Sequence, residues 1–149
     1  MRKSLAVIAL VLIGGCASQR NNGPAVAQPQ VSIDQLSSAP AVAEHETGGM
    51  PVQYRLSVTN TAQFPITLKR IDVQSVGSGA YDVNPTSLPY DVVIQMGATE
   101  SVDFWVPATA TVSVAGANGA VALRVVTLYD SASGKFQNVS VRQVMGRIR

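Results

Sequence analysis

The sequence predicts an all-β protein, a two-layer sandwich of about seven strands, and three observations carry that prediction. Valine alone supplies 22 of the 149 residues, and β-branched side chains fit a pleated sheet surface. From Pro51 onward apolar residues recur with a period of two, the spacing of strands with one buried face. Clusters of Gly, Pro, Asn and Asp interrupt that pattern at intervals of about 8–12 residues, and no helical period is sustained. Charged residues make up 13% of the chain, about half the roughly 25% usual for soluble domains. Length and composition exclude a large multidomain enzyme and a charged disordered tail. A single cysteine excludes a disulfide scaffold.

Each element follows from local pattern. Val52, Tyr54, Leu56 and Val58 alternate with Gln53, Arg55, Ser57 and Thr59 and make the first strand. Asn60–Pro65 is a turn cluster. Ile66 and Leu68 then give way to Ile71 and Val73, a change of parity across Lys69-Arg70 that predicts a β-bulge. Gly77-Ser78-Gly79 breaks that strand, and Asn84–Pro89 reads as a turn-rich connection. Tyr90–Gln95 is the next strand, closed by Gly97, and Glu100–Val106 follows, ended by Pro107. A short Thr111–Val114 segment precedes the long strand Ala120–Tyr129. Asp130–Gly134 has hairpin composition, and Phe136–Val144 finishes the sheet.

This count and spacing describe an immunoglobulin-like β-sandwich in architecture, without the Cys…Trp…Cys signature of true immunoglobulin domains. A small β-barrel is the second architecture open to such a pattern. Tyr54-Arg55-Leu56-Ser57-Val58-Thr59-Asn60, the segment Phe64–Val73 and the later Gly97–Val102 together resemble water-stress/LEA-type β-sandwich domains. The resemblance covers about a third of the domain and implies a sandwich fold; no function is taken from it.

The N-terminus addresses the chain to a membrane. Arg2 and Lys3 precede Leu5–Ile13, an uninterrupted apolar run. Its nine residues rise about 14 Å as a helix, against a hydrocarbon core of roughly 30 Å, so the run is a signal core and not a span. Ile13-Gly14-Gly15-Cys16 then resembles a bacterial lipoprotein lipobox, with Ile and Gly standing where Leu and Ala or Ser are usual. The resemblance implies cleavage between Gly15 and Cys16, a diacylated Cys16 thiol and acylation of the new amine. Ala17 after the cysteine implies, by the same resemblance, the outer membrane facing the periplasm. The predicted organisation is a signal peptide over 1–15, a lipid-anchored flexible tether over 16–50 and the sandwich over 51–149. Some 30 tether residues, rich in Ala, Ser, Gln and Pro, reach about 30 Å on average. Val31-Ser32-Ile33-Asp34 within them alternates and is placed to pair as a short edge strand. Loss of Arg2 and Lys3 leaves nine cations and nine acids, so the basic pI is no sign of nucleic-acid binding.

Catalytic residues are scarce. His45 is the only histidine, set between Glu44 and Glu46 in the tether, where neither a rigid triad nor a metal centre is expected. Asp82 and Asp91 flank the predicted loop, and Glu100 and Asp103 lie on opposite faces of one strand. An acid pair of this kind would make a cell-envelope hydrolase the disfavoured alternative. Loop carboxylates more commonly bond their own turns. Asn138-Val139-Ser140 fits a glycosylation sequon, a coincidence in a bacterial lipoprotein. No cofactor and no metal are expected.

The interesting surface is aromatic. If Val102, Phe104 and Val106 face the core, then Ser101, Asp103 and Trp105 face solvent, and an exposed tryptophan anchors partners or sugars. The other reading covers Trp105 with the tether or a loop. Tyr81 and Tyr90, close in sequence to the same connection, are candidates to extend the patch. Arg142, Arg147 and Arg149 concentrate charge at the C-terminus, either for anionic lipid or an acidic partner, at about 1 kcal/mol per charge near a membrane, or as a solvated end. The expected function is a non-catalytic, lipid-anchored binding or structural module of the envelope, with an envelope protein or peptidoglycan as partner. An accessory subunit of a secretion or pilus assembly is the alternative.

Overall fold

A computed structural model describes residues 27–38, 49–77, 79–110 and 118–147. Eight strands make two four-stranded antiparallel sheets, and no helix stands among the described residues. The strands are β1 (Gln30–Ser38), β2 (Met50–Thr59), β3 (Ile66–Ser75), β4 (Tyr81–Val83), β5 (Thr86–Ile94), β6 (Thr99–Ala110), β7 (Asn118–Ser131) and β8 (Gly134–Arg147). One sheet runs β1-β2-β6-β4 and the other β5-β3-β7-β8. The first order and the β3-β7-β8 part of the second match the two sheets of an immunoglobulin-type sandwich. β5 is an addition beside β3, reached only after the chain has crossed to β4 and back.

The predicted alternation forms the core. Val52, Tyr54, Leu56 and Val58 of β2 face Ile66, Leu68, Ile71 and Val73 of β3, with Leu123, Val125 and Tyr129 of β7, and all are buried. The expected bulge is present: the register of β3 shifts between Leu68 and Arg70 against both β5 and β7. Lys69 is the extra residue that lets Leu68 and Ile71 both point inward.

Three expectations need correction. The sandwich begins at Gln30 and not Pro51, because the alternation at Val31 and Ile33 continues into a nine-residue strand paired along β2. The stretch expected as a loop up to Pro89 becomes strand from Thr86, since β5 lies at a sheet edge, where a missing N–H is tolerated. Pro107 does not end its strand. Its carbonyl accepts the Asn84 N–H at 3.0 Å, so its nitrogen also points away from β2 and no bond to β2 is lost. Pro51, directly opposite, lies just beyond the last β1 pairing at Ser38–Val52. Eight strands among the described residues agree with the expected sandwich of about seven. The Thr111–Val114 segment, the signal peptide with Gly15 and Cys16, and Glu44-His45-Glu46 lie outside the described residues.

Buried Asn60 locks one end of the sandwich. Its side-chain amide donates to the Phe64 carbonyl (2.8 Å) and the Ile94 carbonyl (3.0 Å), and its Oδ1 accepts the Ala62 N–H (2.9 Å). One side chain thereby ties the end of β2 to its own turn and to the end of β5. Gly97, at φ 72°, makes the following turn possible, with Ala98 N–H bonded to the Gln95 carbonyl at 3.0 Å.

Candidate functional site

The outer face of the β1-β2-β6-β4 sheet is an ordered polar surface with one aromatic on it. Its residues meet in rows across β2 and β6. Thr59 and Thr99 share a hydrogen bond of 2.7 Å, and Ser57 and Ser101 one of 2.8 Å. In the next row the Arg55 guanidinium donates twice to the Asp103 carboxylate, each at 2.7 Å, and Asp34 of β1 stands on the other side of Arg55. These two bonds hold Asp103 below the usual carboxylate range and raise Arg55. Then Ser37 donates to Gln53 at 3.1 Å, and Gln53 lies opposite Trp105.

Trp105 is 51% exposed. Residues of β6 alternate as expected, Phe104 and Val106 buried and Asp103 and Trp105 outward, so the indole stands on the solvent face. Leu36, the bulged residue of β1, is also exposed toward this end.

Of the two tyrosines offered for the patch, Tyr81 does not extend it. Tyr81 is fully buried, its hydroxyl 2.6 Å from that of Tyr54 and donating to Gln35 Oε1 at 2.8 Å. Its position on short β4 turns it inward because β4 pairs with the end of β6, over the core. Tyr90 belongs to the opposite sheet and is half-buried against the core rim; burial and the nearby Asp103 charge raise its phenol. Of Arg147 only the backbone is described, and Arg149 lies outside the described residues. Arg142 is a clamp: its Nε and Nη2 donate to the Val31 carbonyl of β1 at 3.3 and 3.2 Å. Asn138 reaches the Pro29 carbonyl at 3.3 Å from the same strand. The sequon residue therefore sits inside β8, next to Ser140, whose hydroxyl is buried.

The carboxylates are separated. Asp82 is in one sheet, near the Ser75 hydroxyl (3.4 Å), and Asp91 is in the other, bonded by Lys69 at 2.6 Å. Glu100 and Asp103 lie on opposite faces of β6. Among the described residues no group of three or more His, Cys, Asp or Glu is placed to hold a metal. A polar groove of about 440 Å³ lies between β1 and β8, lined in part by Val31, Ser57, Asn138 and Arg142. A hollow of about 210 Å³ on the outer face of the second sheet is lined by Asp72, Gln74, Ser87 and Arg124, among others.

No protein-family model matches the chain, and no curated protein matches it. Among solved structures it is similar to the solution structure of a protein from Arabidopsis thaliana, with a TM-score of 0.58 and 12% identity over 87% of both chains. A protein from Archaeoglobus fulgidus gives a TM-score of 0.46 at 6% identity, over 83% of this chain and 98% of that one. A FixG-related protein from Vibrio parahaemolyticus gives 0.40 at 14% identity, over 80% and 97%. The first likeness is one of fold; the other two are looser still.

Proposed function

We propose that the chain is a lipid-anchored envelope lipoprotein whose sandwich is a non-catalytic binding module. Cleavage before Cys16 and acylation of its thiol and amine would anchor the protein, and two or three acyl chains exceed what stable anchoring requires. The partner-facing surface in this reading is the outer face around Trp105. The observation that carries it is the exposure of the chain's one tryptophan on a face where neighbouring polar side chains are pinned by cross-strand bonds. A pre-ordered surface spends little entropy on binding, and an indole supplies large contact area with few torsions. The partner is an envelope protein or peptidoglycan.

The test is crosslinking in cells with a C-terminally tagged chain, comparing wild type, Trp105→Ala and Cys16→Ser. A discrete adduct that both substitutions abolish, with Trp105→Ala still folded and membrane-bound, supports the reading. Mass spectrometry of the N-terminal peptide should find acyl chains on Cys16; an unmodified thiol would remove the anchor from the proposal. An adduct insensitive to Trp105→Ala would move the interface elsewhere.

A further inference from the structure

β6 is covered unequally on its two sides. β2 lies along it from Thr99 to Ala108, whereas β4 covers only Ala108–Ala110 on the other side. Among the described residues, the bond from Asn84 N–H to the Pro107 carbonyl is the last one on that side. In an antiparallel ladder, residues alternately turn both backbone groups toward one neighbour and away from it. The 2.9 Å bond from Asn60 N–H to the Ala98 carbonyl sets the phase, so even-numbered residues of β6 bond β2. Thr99, Ser101, Asp103 and Trp105 therefore turn N–H and C=O to a side where, among the described residues, no strand lies. Pro107 has the same parity, and its missing N–H closes the run.

The other long edges are blunted in ways that discourage pairing. β5 carries Pro89 beside the bulge in β3. The Pro29 and Val31 carbonyls next to and within β1 are taken by Asn138 and Arg142, and the same Arg142 is an inward-turned charge on β8. Thr99–Trp105 has no proline and no bulge, and its charges are Glu100 at its start and Asp103, which Arg55 neutralises.

We propose that Thr99–Trp105 receives an extended segment of a partner protein as an added strand, apolar on its inward side and basic opposite Glu100. This rests on the binding-module reading and names its partner's form. On the inward side, Val102 of β6 with Leu88, Tyr90 and Val92 of β5 form a half-buried apolar rim that an added strand would finish covering. Charge selects the occupant. Arg55 and Lys69 are taken by Asp103 and Asp91, and Glu100 is exposed with no cation paired to it among the described residues. A second copy paired edge to edge brings no cation, since Thr99–Trp105 contains none, whereas a lysine or arginine in a different chain complements Glu100. The segment would run directly beside Trp105, whose backbone faces the edge and whose indole faces outward.

The test is residue-resolved hydrogen exchange by NMR on the full chain in detergent, alone and with acetyl-Val-Thr-Val-Thr-Val-Thr-Lys-amide. Alone, the amides of Ser101, Asp103 and Trp105 should exchange at least about tenfold faster than those of Val102, Phe104 and Val106. Saturating peptide should slow them about tenfold and leave the even positions unchanged. Slow exchange at the odd positions without peptide would overturn the proposal, since the chain itself, or a second copy if the mass doubles, then covers the edge. Equal effects from a peptide N-methylated at alternate residues, or no effect at all, would also overturn it. Ser101→Pro removes an outward N–H at the parity Pro107 already occupies, so β2 pairing survives while peptide affinity falls about tenfold or more. Glu100→Lys should weaken the lysine-ended peptide roughly threefold and favour a glutamate-ended one. If Ser101→Pro does not fold, the N-methylated peptide still decides. A cellular adduct lost in Trp105→Ala but kept in a folded Ser101→Pro would leave the binding face standing and sink the added strand.

Discussion

Trp105 and Asn60 mark two opposite uses of a single side chain. The Trp105 indole touches solvent over half its surface, so Trp105→Ala should change unfolding free energy by no more than about 0.5 kcal/mol. Urea denaturation of the two proteins side by side checks this. A loss of several kcal/mol would mean that the indole is packed and the proposed face is structural. Asn60 is the reverse case. Its amide is the donor for two buried carbonyls, of Phe64 and Ile94, and its oxygen accepts from Ala62. Asn60→Ala strands these groups in a site too enclosed to rehydrate easily, at about 2–4 kcal/mol in the same titration. Asn60→Asp keeps the shape but aims a carboxylate at two carbonyl oxygens. That repulsion raises the carboxyl pKa in the folded state above its unfolded value. The variant is then most stable below about pH 4 and loses stability as pH rises through the raised pKa. A pH series of melts reads the sign directly.

At the scale of elements, β1 depends on its neighbour in the other sheet. Among the described residues it pairs with β2 alone, and its other side is held by Arg142 and Asn138 of β8. Arg142→Ala should cost about 1 kcal/mol, because a part-exposed charge-assisted bond is lost. Its more specific mark is faster amide exchange in β1 with β3 and β7 unchanged, as expected of an edge strand that opens locally. Uniform acceleration throughout the sandwich would mean that β1 unfolds only with the whole. The same elements show what a sequence can carry. The period of two locates β2, β3 and β7 and the parity change at Lys69-Arg70 locates the bulge, whereas the alternation of β6 sets Trp105 opposite Phe104 and Val106 and leaves open whether another segment covers it. All of these depend on residues a few positions apart. The burial of Tyr81 is not legible in its own segment, because it rests on Tyr54 and Gln35, brought to it by sheet pairing. Pro107 reads as the end of its strand and Asn84–Pro89 as a loop in the sequence, because the tolerance of each proline depends on a neighbouring strand, or on having none. The open side of β6 likewise emerges only when β4 proves to be three residues long.

At the scale of the whole molecule, the core is held together by tyrosines that must stay neutral. Tyr54, Tyr81 and Tyr129 are among its largest fully buried side chains and span both sheets. Burial pushes Tyr81 and Tyr129 up to about 12, and burial together with the nearby Tyr81 hydroxyl raises Tyr54 further. In the unfolded chain each titrates near the ordinary value of about 10. The protonated phenol is thus favoured by folding, so the contribution is complete below about pH 10 and is lost as pH climbs toward the folded values. Each such group costs about 1.4 kcal/mol per pH unit in that window, roughly 4 for the three together, against a total stability of about 5–15 kcal/mol. The sandwich should therefore be insensitive to pH from about 7 to 9 and unfold cooperatively between about 10 and 12. Phenolate absorbance and circular dichroism followed in one alkaline titration should change together. Tyr81→Phe removes one titrating group and the 2.6 Å bond to Tyr54. It should lower stability at pH 7 by about 1 kcal/mol yet make the alkaline slope shallower by about a third. Phenolate absorbance rising fully before the circular dichroism changes would show that these hydroxyls reach water in the folded state, and that the two sheets are not closed over them.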